Sequence, residues 1–272
     1  MTMDRLYYIF IRVVALLMVI LFLVPIVWML LLSFTPEGQN IFGSEALHFT
    51  LDNYRKVLSL APVFGWMGNS VIVSVATTVL VLLFSSMAAY AFSRIRFPGS
   101  RLLFLLFLSG MMIPAEATLI PLYLFMRDFG LLGTRMSLVL PAVAGPMGIF
   151  ILKQFFDGLP KDLEEAARMD GAGFIKIWYS IFLPLSRPAL AALGIFTFIG
   201  AWNDFVWPLI SISDKAYMTI TLGLPMFQSS YVQQYALPMT ANALAAIPVL
   251  IVFLIFQKQI IKGIAFTGGK EM

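Results

Sequence analysis

Two carboxylates, Glu116 and Asp204, stand inside long apolar runs. An ionisable group in such a run is costly unless it faces the interior of a helix bundle or a water-filled path. Near them in sequence come Tyr123, Trp202 and Asn203. Aromatic faces and an amide beside a carboxylate suit the binding of a neutral, hydroxyl-rich solute, which makes Glu116, Tyr123, Trp202, Asn203 and Asp204 candidates for lining a solute pathway. Asp204 also admits a structural reading, as a hydrogen bond between helices or a hydrated position near an interface, and Glu116 one as a helix-end residue. Bond-making chemistry has no basis here: HExxH, GxSxG and a clustered Asp pair are missing from the sequence. Cysteine is absent and His48 is the single histidine, which excludes a thiolate or multi-histidine metal site. Lys270 follows Gly268 and Gly269, but Ile264 and Glu271 stand where a phosphate loop needs Gly and Ser or Thr.

A second constellation suits mechanical work. Residues 159–173 read LPKDLEEAARMDGAG. Asp162 with Glu165 three residues on predicts a capping-box start, and Gly171 supplies a left-handed stop, so a helix of about two turns is bounded at both ends. In the helix that follows, Phe174, Ile177, Trp178 and Ile181 fall on one face before Pro184 ends it. The pair predicts a helical elbow lying along a membrane surface. Ala166 and Ala167 on one side of the first helix present a flat surface that another protein's groove can grip closely.

The elements that position these groups follow from hydropathy. A helix needs ~20 apolar residues to cross a hydrocarbon layer of ~30 Å. Segments 13–34, 66–92, 102–126, 136–152, 188–213 and 236–257 qualify. Pro114 and Pro121 interrupt the third, and broken helices free backbone carbonyls that line cavities in transporters. No long linker or low-complexity stretch separates the segments. The expectation is one domain over residues 1–272: an all-α membrane protein with six spans and a loop at 153–187.

Composition agrees, with 60% hydrophobic residues and 12% charged, where soluble domains hold about 25% charged. The net charge of +4 comes from basic residues scattered between apolar runs, without the block or stripe that nucleic acid requires. It reads as a topology signal. With both termini inside, the inner loops hold Arg5, Arg12, Arg94, Arg96, Arg101, Lys153, Lys161, Arg168, Lys176, Arg187, Lys258, Lys262 and Lys270, and the outer ones Arg55, Lys56, Arg127, Arg135 and Lys215. The bias puts both termini and loop 153–187 in the cytoplasm. The first apolar run has no small-residue cleavage site after it and reads as an uncleaved anchor. Trp28, Trp66 and Trp207 near span ends read as an interfacial aromatic belt.

Glu165, Ala166 and Ala167, then Gly171 after three residues, then Ile181, Leu183 and Pro184 after nine more, match the EAA signature at every defined position. In this the sequence resembles the permease subunits of binding-protein-dependent ABC importers. Similarity to their maltose-type carbohydrate branch extends through Asn69-Ser70, Phe97-Pro98-Gly99, Ile120-Pro121-Leu122-Tyr123, Ala201-Trp202-Asn203-Asp204-Phe205 and Thr267-Gly268-Gly269-Lys270. The resemblance implies a type I ABC importer permease fold in a bacterial or archaeal cytoplasmic membrane. It implies pairing with a second, similar permease subunit as a heterodimer, two copies of an ATP-binding subunit that carry ATP and Mg, and an extracytoplasmic solute-binding protein. No cofactor is expected in this chain. Carried over residue by residue, it assigns Glu165, Ala166, Ala167, Asp170 and Gly171 to a coupling helix held in a cleft of the ATPase, and Gly268, Gly269 and Lys270 to a tail contact with it. A stand-alone secondary transporter or channel is the alternative; the EAA loop and the scarcity of buried charge argue against it.

Overall fold

The computed structural model describes residues 2–39, 48–228 and 235–268, and among them it contains helices and no strands. Contacts divide the chain into two units, residues 1–64 with 223–247, and residues 65–222 with 248–272.

In the first unit, α1 (Thr2–Phe34) exposes its apolar side chains from Tyr7 to Val27. The end of α1 is fastened by α2 (Asp52–Leu60). A helix leaves its last carbonyls open, and buried Asn53 fills that need by donating its amide to Ser33 O at 3.0 Å and Thr35 O at 2.8 Å. Tyr54 adds a 2.9 Å hydroxyl contact to Ser33 Oγ, and Thr240, in the first turns of the last helix, donates to Ser33 O at 3.2 Å.

The second unit is organised on α3 (Val63–Arg94). One face of this helix carries buried small or hydroxylated residues, Ser70, Ser74, Thr77, Ser85 and Ala89, while Ile72, Val75, Val79, Leu83 and Met87 are exposed on the other. Small residues let helix backbones approach closely where lipid leaves no hydrophobic drive between helices. The helices that follow are broken. α4 (Ser100–Ser109) continues through a tight turn (Gly110–Met112) and meets α5 (Ala115–Asp128) at 106°. Pro114, at the start of α5, has an extended backbone and no N–H to continue the ladder. α6 (Arg135–Val143) and α7 (Pro146–Asp157) bend by 41° where Gly145 and Pro146 interrupt them.

After α8 (Asp162–Met169) and α9 (Phe174–Ile177), a π-helical turn (Trp178–Phe182) leads into α10 (Leu183–Leu185), and this rod meets α11 (Arg187–Asn203) at 81°. α12 (Val206–Ser211), α13 (Ile220–Gly223) and α14 (Ala236–Gly268) complete the order. Among the described residues, three helices are long and apolar enough to cross a membrane, and up to six spans result when each bent pair counts as one. The fifth segment, expected to run on to residue 213, stops at Asn203 because Asp204 turns extended with ψ 129°. The last helix outruns its apolar segment and reaches Gly268.

Two apolar clusters sit along α3. Ala89 and Tyr90 pack with Leu152, Phe156, Ile177, Phe182, Ala189 and Leu193, and Val73 packs with Met126, Leu138, Val139, Trp207, Ile212 and Leu222. Trp66 and Trp207 belong to the interior and not to an interfacial belt, because each indole N–H reaches a carbonyl, Lys215 O at 3.2 Å and Ser137 O at 2.7 Å. Buried Asn69 is fully used: its amide donates to Ala216 O and Met218 O at 2.8 and 2.9 Å, and its carbonyl accepts two bonds from Arg135 at 3.0 and 2.8 Å.

Candidate functional site

α8 starts differently from its expected capping box. Lys161 is the cap residue, in helical conformation, and its carbonyl takes the N–H groups of Glu164 and Glu165. Asp162 therefore falls inside the first turn, since the helical ladder already opens on the Lys161 carbonyl. There Asp162, Glu164 and Glu165 complement the positive end of the helix dipole.

The stop is as expected. Gly171 has φ +77°, its N–H bonds to Arg168 O at 2.9 Å, and Ala172 N–H bonds to Ala167 O at 3.0 Å. This is the paired bonding of a Schellman motif, which relies on a residue that tolerates positive φ. Glu165, Ala166, Asp170 and Gly171 are exposed, and Ala167 is half-buried against the apolar cluster beneath. In the second limb, Ile177 is buried and Trp178 and Ile181 half-buried, whereas Phe174 lies exposed under the Arg168 guanidinium at 4.6 Å.

Glu164, not Glu165, is the buried carboxylate of this loop. Its Oε1 accepts from Arg168 at 2.7 and 3.1 Å. The i,i+4 spacing of Glu164 and Arg168 was the sequence signal for that pair. A cavity of about 660 Å³ lies beside α8, ringed by the turn between α3 and α4, with Arg94, Arg96, Lys161, Glu164, Glu165 and Arg168 among its walls.

The proposed solute-pathway residues are brought together only in part. A cavity of about 370 Å³ is walled by Val73, Thr77, Leu138, Ala142, Thr197, Gly200, Ala201, Asn203, Asp204, Pro208 and Thr219. Asn203 is exposed and Asp204 half-buried. The Asp204 main-chain carbonyl accepts from Thr221 at 2.7 Å, and its carboxylate lies within electrostatic reach of the backbone N–H groups of Trp207 and Phe205.

Trp202 is not in that wall. It is 2% exposed and stacks on Phe198 with ring centroids 6.0 Å apart. Tyr123 packs beside the Val73 cluster, and Glu116 is exposed in the first turn of α5, so neither lines this cavity. The hydroxyls of Thr77, Thr197 and Thr219 were missed, although Ser70, Ser74 and Thr77 repeat at helical spacing. Gly268 closes α14, and Gly269 and Lys270 lie outside the described residues.

Long apolar helices with a polar cavity among them and an exposed elbow between two spans are the architecture of a multi-pass membrane transport subunit. Residues 81–266 match the family described as binding-protein-dependent transport system inner membrane component. The chain is 35% identical over 252 residues to the arabinooligosaccharides transport system permease protein AraQ of Halalkalibacterium halodurans, covering 90% of each. It is 36% identical to the diacetylchitobiose uptake system permease protein NgcG of Streptomyces coelicolor, over 89% of this chain and 82% of that one. With the trehalose/maltose transport system permease protein MalG of Thermococcus litoralis the identity is 37%, over 94% and 93%. Among solved structures, a bacterial ABC transporter involved in the import of the acidic polysaccharide alginate superposes with a TM-score of 0.82 at 25% identity, over 94% of this chain and 96% of that one. The chain belongs to the binding-protein-dependent inner membrane components: it is a permease subunit of an ABC importer, and ATP hydrolysis resides on a separate subunit of that complex.

Proposed function

We propose that this permease forms half of a carbohydrate path, paired as a heterodimer with a second permease on two ATP-binding subunits and supplied by an extracytoplasmic binding protein. ATP and Mg belong to the partners, and this chain holds no cofactor. Both termini and the α8 elbow face the cytoplasm of a bacterium or archaeon, in line with the basic bias of the inner loops. The observation that carries the reading is α8 itself, stopped by left-handed Gly171 and exposing Glu165 and Ala166. On this reading Glu165 and Asp170 contact the ATPase cleft, Ala166 and Ala167 permit close approach, Gly171 sets the bend, and the tail at 268–270 touches the same partner.

The chemistry of the smaller cavity supports a neutral, hydroxyl-rich solute: three threonine hydroxyls, one amide and one carboxylate, with no cation among its walls. The relatives' printed solutes, arabinooligosaccharides, diacetylchitobiose and trehalose/maltose, point the same way.

Liposomes carrying the permease, its partners and the binding protein are expected to accumulate a neutral oligosaccharide of this kind only when ATP is enclosed. Uptake at the same rate without ATP sinks the proposal. In the same assay, Asp204→Ala is expected to lower the maximal rate roughly ten- to a hundredfold, the effect of losing one charge-assisted hydrogen bond of ~1.5–3 kcal/mol. Asp204→Asn keeps the size and an acceptor oxygen while removing the charge, and so separates charge from solute hydrogen bonding. An unchanged maximal rate in Asp204→Ala removes Asp204 from the path.

A further inference from the structure

Arg94 ends α3 with a side chain only 5% exposed. One amino group of its guanidinium, Nη2, donates to Phe156 O at 2.5 Å and Leu159 O at 2.7 Å, carbonyls in and just past the last turn of α7. The guanidinium lies 5.1 Å from the centroid of the Phe182 ring, which itself packs edge-on against Tyr90 and Phe156. Its Nε stands 4.0 Å from Glu164 Oε2, and the Glu164 side chain is 10% exposed. The other carboxylate oxygen is held by Arg168, whose guanidinium covers Phe174. A succession of contacts thus runs from the elbow surface at Phe174 through Arg168 to Glu164, and across a 4.0 Å charge–charge approach, in which Arg94 Nε makes no hydrogen bond, to Arg94, Phe182 and the end of α3. A buried charge that loses its partner is heavily penalised, so the pair resists separation. The planar fork of arginine can address carbonyls, ring and carboxylate at once, and a lysine cannot.

We infer that Arg94 is a positioning residue for transport: through Glu164 it locks α8 to α3, so that a displacement of the elbow by the ATPase arrives at the cavity wall as movement of α3. Val73 and Thr77 of α3 line that cavity. About 26 Å of continuous helix separates Thr77 from Arg94 at 1.5 Å per residue. A rigid element with fixed ends is the kind of part that carries a partner's closure across a protein. The inference rests on the reading of α8 as the ATPase contact.

The assembled, reconstituted transporter tests it through the ratio of solute imported to ATP hydrolysed. Glu164→Ala leaves Glu165 and Ala166 on the gripped face and leaves Arg94 on its carbonyls, yet it cuts the tie. Arg94→Gln cuts the same tie from the other side. Both are expected to lower the ratio at least tenfold, and Arg94→Lys to restore part of it. A merely structural role reduces insertion and scales uptake and hydrolysis together, leaving the ratio where it was; that result, or ratios within twofold of wild type, overturns the inference.

Should neither variant insert, the native pair is tested directly. The chain has no cysteine, so spin labels on cysteines at exposed Met87 and Met169 report the α3–α8 distance alone. An unchanged distance between nucleotide-free and ATP-trapped states supports the lock, and a shift between them refutes it. Gly171→Val serves as the control for the elbow: if it leaves uptake intact the ATPase-contact reading fails, whereas loss of uptake there with normal ratios in the Arg94 and Glu164 variants rejects only the lock.

Discussion

Uptake is expected to fall at least tenfold in Gly171→Val, less in Gly171→Ala, and to stay within twofold of wild type in Gly171→Asn. The ordering follows from backbone conformation alone. Residue 171 sits at φ +77°, and nothing lies within 4 Å of where a Cβ would be added. Space is therefore no obstacle, and steric strain within the residue decides. A left-handed conformation costs an ordinary L-residue roughly 1–2 kcal/mol, more when it is β-branched and little for asparagine, whose side chain bonds locally. Valine forces the elbow to relax, which releases the Gly171 and Ala172 hydrogen bonds and tilts α8 away from the geometry its partner grips. Uptake in liposomes, with co-purification of the ATPase as a parallel readout, checks the series. A valine variant as active as the asparagine one shows that the left-handed stop is dispensable.

Gly148 is expected to be still less tolerant, and for the opposite reason. A Cβ there would stand 2.6 Å from Ser85 Oγ, 3.1 Å from Ser85 Cβ and 3.3 Å from Leu193 Cδ2, wedged where α7 meets α3 and α11. Gly148→Ala overpacks this contact at a cost of ~1–3 kcal/mol. Gly148→Leu leaves no arrangement in which the three helices remain together, and the protein is expected not to accumulate in the membrane. Exchanging the bulk across the contact, with Ser85→Gly in the Gly148→Ala background, is expected to recover most of the lost thermal stability in detergent. Stability of the double variant no better than that of Gly148→Ala alone shows that Ser85 is not the obstacle.

The elbow was legible in the sequence because its determinants are local: Gly171 stands just past the Asp170 cap of α8, and the spacing from Glu165 to Pro184 spans a single loop. The identity of its buried carboxylate was not. Glu164 and Glu165 are neighbours of the same type, and which one turns inward depends on Arg94, seventy positions earlier, and on the Phe182 ring. The break at Pro114 was foreseeable because proline cannot continue the backbone ladder, whereas the break at Asp204 carries no such mark. There the Asp204 main-chain carbonyl leaves the helical ladder and accepts from the Thr221 hydroxyl, seventeen positions on, a bond that an apolar window hides. Trp202 looked like a sugar platform for want of any sign that Phe198, one turn before it, already covers its face.

The uneven lengths of the membrane segments also bear on how the polypeptide is made. α1 offers an unbroken stretch, Tyr7–Phe34, with none of its most apolar window buried by the rest of the chain. Such a cylinder can leave the translocon for lipid as soon as it clears the ribosome. The halves of the bent pairs cannot: α6 has 9 residues and α7 has 12, each short of the ~20 that a crossing requires. Their breaks expose peptide groups that bare lipid does not satisfy. Biogenesis accordingly splits into an early, autonomous commitment by the first segment and a delayed, collective release of the middle ones. Nascent chains arrested between α5 and α11 are expected to crosslink to the insertion machinery until the small-residue face of α3 has something to close upon.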